Sequence, residues 1–117
     1  KDVFFSPILI SRLAKASHIL LDRRIQGVIN IVGDERISKF DFAIRLAKIF
    51  KLPANLILSS SIGEISLKAH RPLDMSLSNA KASILLQNGL GSIDEFLYDL
   101  KNQEQSGHHA ELTAAFK

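Results

Sequence analysis

Arg71 stands directly before Pro72, and Ser76, Ser78 and Lys81 follow closely. A residue that precedes proline is pushed out of the α region into an extended conformation. Pro72 itself has no N–H to give to a sheet or a helix interior. The guanidinium therefore projects from a stiff, extended segment. Ser78 is placed to cap a short helix opening near Asn79, with Lys81 in its first turn. A guanidinium, hydroxyls, an ammonium group and a helix N-terminus in one stretch suit an anion such as a phosphate. On residue types alone, the better reading of the same stretch is a surface loop that runs into a helix.

Little else in the chain has the spacing that catalysis needs. There is no Ser/His/Asp order with a nucleophile elbow, no carboxylate pair in a pocket-like context and no metal-ligand spacing. Asp34-Glu35 reads as a solvated loop, and His18 as a partly buried packing residue. His108 and His109 are adjacent, so they point to different faces of any helix or strand and make a poor two-ligand site. No Gly-x-x-Gly-x-x-Gly turn follows a strand, so a dinucleotide fingerprint is missing. The only tyrosine is Tyr98, and the position four residues on is Asn102, not a lysine.

Composition narrows the class. The chain has 117 residues, 46% of them hydrophobic and 23% charged, which is ordinary for one globular domain. Its net charge of +3 is small, and the Lys and Arg residues are scattered, densest at Arg23-Arg24 and from Lys68 to Arg71. Nucleic-acid binding calls for a clustered basic stripe, so no nucleic-acid partner is expected. No apolar run reaches the roughly 18 residues of a membrane span. With no cysteine there is no disulfide, thiolate site or Cys nucleophile. The expectation is a cytoplasmic protein.

The elements that must position Arg71 follow from periodicity and caps. Ser6-Pro7 reads as a helix start, with Leu9, Leu13, Ala16 and Leu20 at helical spacing up to about Leu21. Val28 to Val32, between Gly27 and Gly33, reads as a strand buried on both faces. Ser38 caps a second helix, which Pro53 ends, with Asp41 as its capping partner. Leu56-Ile57-Leu58 reads as a second strand, parallel to the first through a crossover. Ser59-Ser60-Ser61 is either a turn or a helix start into Ile62 to Leu67. A short helix from Asn79 to Leu86 breaks at Asn88-Gly89-Leu90-Gly91. Ser92-Ile93-Asp94-Glu95 is a capping box, and Ile93, Phe96, Leu97 and Leu100 supply the buried face of the last helix. From Asn102 the pattern dissolves. The expected fold is thus α/β: a helix-rich lobe over 1–102 with two short parallel strands, then a polar, flexible tail over 103–117.

Three stretches carry a resemblance. Arg71-Pro72 followed by Leu77 and Lys81 resembles the late segment of the extended short-chain dehydrogenase/reductases, nearest the dTDP-4-dehydrorhamnose reductase branch. Phe5-Ser6-Pro7 with Leu13-Ala14, and Gly27 to Gly33 followed by Ser38-Lys39-Phe40-Asp41-Phe42-Ala43, resemble that family's segments in order and spacing. Departures are Ile8 where the family often has Thr, Lys39-Phe40 where it has Trp-Tyr, and Met75 where it has Ser, with Ser76 one place later.

The resemblance implies the C-terminal substrate-binding lobe of an NAD(P)-dependent sugar-nucleotide reductase, acting in dTDP-rhamnose biosynthesis. It implies Arg71, Ser76, Ser78 and Lys81 as substrate-binding residues and a nucleotide sugar, a dTDP-sugar, as ligand. NAD(P)H and the catalytic Tyr-x-x-x-Lys would belong to a Rossmann-type N-terminal lobe outside this sequence, and the whole could form a homodimer. A lobe of a nucleotide-sugar epimerase or dehydratase, or of a catalytically silent regulatory subunit, shares the same pattern.

Overall fold

The structure, a computed structural model, describes residues 1–64, 69 and 71–115. Among them it is helix-rich. The short strand β1 (Phe4–Phe5) precedes helix α1 (Ile10–Asp22); strand β2 (Ile37–Ser38) runs straight into α2 (Lys39–Phe50). Two single 3-10 turns, Ala54–Leu56 and Ile62–Glu64, follow, then α3 (Ala80–Leu86), α4 (Ile93–Gln105) and α5 (His108–Ala115). No described helix is long and apolar enough to cross a membrane.

The sheet corrects the expected parallel pair. β1 and β2 are antiparallel, with Phe4 opposite Ser38 and Phe5 opposite Ile37. Residues 28–32 belong to no strand. Ile29 and Ile31 turn inward onto a small core of Ala16, Ala82 and Leu90, while Val28 is 87% exposed. The segment buries one face against helices and has no ladder partner. The expected burial on both faces is therefore corrected to partial burial of one face, and the β-branched run was a poor sign of pairing. Leu56 and Leu58, expected in a second strand, are both largely exposed, and Leu56 closes a 3-10 turn. Of the expected helix start from Ile62 to Leu67, only the 3-10 turn lies within the described residues.

The helix caps behave as their local chemistry requires. The Ser38 hydroxyl accepts from the Asp41 N–H at 3.0 Å and donates to the Asp41 carboxylate at 2.6 Å. Ser92 and Glu95 complete a capping box at the start of α4. Each such cap is worth about 1 kcal/mol. Ser6-Pro7 does not start a helix: α1 opens three residues later with Leu9 at its N-cap. The Ser6 hydroxyl instead sits 3.3 Å from the Leu77 carbonyl oxygen and 3.4 Å from its amide nitrogen. His18, expected to pack, is exposed and lies 3.5 Å from Asp22. α4 continues through Asn102 to Gln105, and α5 follows it.

The second core joins α2, α4 and the sheet. Ile37, Ile93 and Leu97 are buried, with Phe5, Phe42, Leu46 and Ile49 packed around them. The Phe5 and Phe42 rings meet edge to face, 5.5 Å apart. Burying side chains such as Ile93 and Leu97 contributes roughly 1.5–3 kcal/mol each. Yet the molecule is open for its size. Its accessible surface is 8540 Å², against about 6300 Å² for a compact chain of this mass. The radius of gyration is 16.6 Å, against about 13 Å for a compact domain.

Candidate functional site

The Arg71 segment is laid against β1. The Phe4 N–H donates to the Leu73 carbonyl at 2.8 Å, and the Met75 N–H donates to the Phe4 carbonyl at 3.0 Å, a parallel bridge between Phe4 and Asp74. Pro72, which cannot donate, lies just before this bridge, consistent with its place at the edge of pairing. Leu73 and Met75 stay substantially exposed.

Asp74 is saturated. One carboxylate oxygen accepts from Arg36 Nε at 3.0 Å and Nη2 at 2.8 Å. The other accepts from the Ser76 N–H at 2.9 Å and the Ser76 hydroxyl at 2.6 Å. Arg36 first, and then the two Ser76 donors, hold the Asp74 carboxyl well below the usual carboxylate range. The Arg36 guanidinium also lies over the Phe4 ring, 3.7 Å from its centroid.

The four residues singled out in the sequence share this segment but not one state of engagement. Ser76 spends its only O–H on Asp74. The Ser78 hydroxyl accepts weakly from the Ala80 N–H at 3.4 Å, and its carbonyl accepts from Asn30 Nδ2 at 3.4 Å. The helix it was expected to cap has Asn79 at its N-cap and no side-chain cap bond. Lys81 donates from Nζ to the Val28 carbonyl at 3.0 Å. Arg71 is exposed and makes no ion pair among the described residues. Lys68 and His70, part of the same basic stretch, lie outside the described residues.

Sequence reasoning missed the residues that hold this arrangement in place. Asp34 and Glu35 do lie in a loop, Asp34 exposed and Glu35 half-buried, but both carboxylates are engaged by distant donors. Asp34 accepts from Asn79 Nδ2 at 2.6 Å, Leu90 N–H at 3.0 Å and Gly91 N–H at 2.9 Å. Burial alone would raise its pKa, but these three donors outweigh it and lower it. Glu35 accepts from the Ile93 N–H at 3.0 Å with one oxygen and from Arg45 Nη1 at 2.9 Å with the other. The pair thus ties the start of α3, the α3–α4 loop, α4 and α2 to one loop. The sole sequence signal was two adjacent acids before a capped helix, and nothing local names their distant donors.

The described residues contain no group of three or more His, Asp or Glu able to hold a metal. Nor, among the described residues, does a strand run through a Gly-x-x-Gly-x-x-Gly turn into a helix. No protein-family model, no curated protein and no solved structure matches the chain.

Proposed function

We propose that this chain is the nucleotide-sugar-binding lobe of an NAD(P)-dependent sugar-nucleotide reductase of the dTDP-4-dehydrorhamnose reductase type, completing a Rossmann-type protein. One observation carries the reading. Arg71, fixed from behind by Pro72, is exposed and without an ion-pair partner among the described residues, although Asp74 is only three residues away and fully engaged by Arg36 and Ser76. A guanidinium presented in this way is ready for a bidentate contact to a phosphate.

The open shape supports the same reading. The accessible surface of 8540 Å² exceeds the about 6300 Å² of a compact chain of this mass, as suits a lobe that a second domain would cover. The lobe's contribution to catalysis is to hold and orient the sugar nucleotide, and such positioning lowers barriers by several kcal/mol in general. Ser76, Ser78 and Lys81 would join the ligand by exchanging the intramolecular partners they now have. Arg71 has none to exchange among the described residues, which makes it the first contact.

The test is a titration of the complete protein with a dTDP-sugar and with NADPH. A charge-assisted hydrogen bond is worth about 1.5–3 kcal/mol, so Arg71→Ala should weaken sugar-nucleotide binding about 10- to 150-fold and leave NADPH affinity unchanged. Arg71→Lys should recover part of the loss, because an ammonium cannot make the fork. A shift of less than about 3-fold, roughly 0.65 kcal/mol, would make Arg71 a surface residue and remove the proposal's support.

A further inference from the structure

We infer that Arg36 is the positioning residue of this site: held between the Phe4 ring and the Asp74 carboxylate, it sets the register of residues 73–76 on β1 and keeps Asp74 away from Arg71. The inference rests on the reading of Arg71 as the phosphate contact.

The hydrophobic effect does little to hold the segment. Leu73 is 52% exposed and Met75 40%, so the register is not selected by burial, as it is in most strands. Two backbone hydrogen bonds to Phe4 remain, and a slipped pairing could satisfy those equally well. Only the side chains distinguish one register from the next. A slip of one residue turns each side chain to the opposite face. The Asp74 carboxylate would then leave Arg36, whose own place is fixed over the Phe4 ring and just ahead of β2. Ser76 completes the arrangement by closing a local turn on the second carboxylate oxygen.

The consequence for the site is electrostatic. Released from Arg36, Asp74 keeps only its local Ser76 donors and is an anion without a counter-cation three residues from Arg71, able to compete with a phosphate for the same guanidinium. Engaged, it is neutralised by a cation other than Arg71. Arg36 therefore acts through the backbone and through Asp74, without touching the ligand.

Two measurements on the complete protein decide it. In the first, hydrogen exchange at the Phe4 and Met75 amides should quicken at least about 10-fold in Arg36→Ala and Asp74→Asn, and less in Arg36→Lys, since lysine keeps the charge but not the planar stack. The second is a double-mutant cycle on dTDP-sugar affinity. Arg36→Ala should weaken binding about 3- to 10-fold when Arg71 is present and add almost nothing when Arg71 is already Ala. Unchanged exchange at both amides would overturn the inference, as would additive losses, which mean that Arg36 contacts the ligand itself. If Arg71→Ala alone leaves affinity unaltered, the site reading falls and the positioning role falls with it. That outcome is distinct from one in which Arg71 matters and Arg36 does not.

Discussion

Gly33 donates its backbone N–H to the Pro7 carbonyl at 3.1 Å, and a Cβ at Gly33 would drive into that same oxygen and into the Phe96 ring. The contact joins the segment after β1 to the loop that carries Asp34 and Glu35. It brings two backbones close enough that only a residue without a side chain fits.

Gly33→Ala should accordingly destabilise the fold by about 1–3 kcal/mol, the usual cost of overpacking a tight site. Urea unfolding measures it: the midpoint should drop with the slope unchanged. A midpoint equal to wild type would show that the Pro7 segment yields without cost.

Asp34 should make stability depend on acid pH. Its folded pKa lies below the unfolded value of about 3.9. The sign follows from linkage: the unfolded chain binds the proton first, so the stabilisation is fully present above about pH 4 and is lost as pH falls through the folded value. Asp34→Asn replaces one acceptor oxygen by a donor facing N–H groups. At a net of about 1 kcal/mol per hydrogen bond, it should lower Tm by about 4 °C at pH 7. Thermal melts of both proteins from pH 7 to pH 2 should show the gap closing at the acid end. A gap that is constant across the range would exclude the carboxylate as its cause.

The excess accessible surface predicts behaviour at high concentration. With Val28, Leu56, Leu58 and Ile84 exposed, the 117-residue chain alone should self-associate or unfold with low cooperativity. Sedimentation at several concentrations together with a thermal melt tests this. A monomer at every concentration, melting cooperatively within the 45–65 °C typical of complete domains, would contradict it.

Cofactor binding should be absent from the chain by itself. Calorimetric titration with NADH or NADPH is expected to give no saturable heat, because no Gly-x-x-Gly-x-x-Gly turn follows a strand in the sequence. Binding tighter than about 100 μM, roughly 5.5 kcal/mol, would place a dinucleotide site where none is proposed.

What the sequence determined by itself was local. Ser38 with Asp41, and Ser92 with Glu95, name helix starts because donor and acceptor are three residues apart and meet whenever the helix forms. The apolar spacing of Ile93 and Leu97 likewise named a face that packs, since helical periodicity alone brings them to one side. The tertiary structure decided everything that depends on a distant partner. Val28 to Val32 carries a strand's residues, but a ladder needs a second backbone alongside, and here helices α1 and α3 cover its inner face instead. Ser6-Pro7 has the chemistry of a helix start, yet the Ser6 hydroxyl lies beside Leu77, 71 residues away. Arg71, Asp74 and Arg36 show the division most sharply. Proximity in sequence favours an Arg71–Asp74 pair, whereas the fold brings Arg36 to Asp74 from 38 residues away. Which guanidinium a carboxylate meets is set by the path of the backbone, and no local pattern encodes that path.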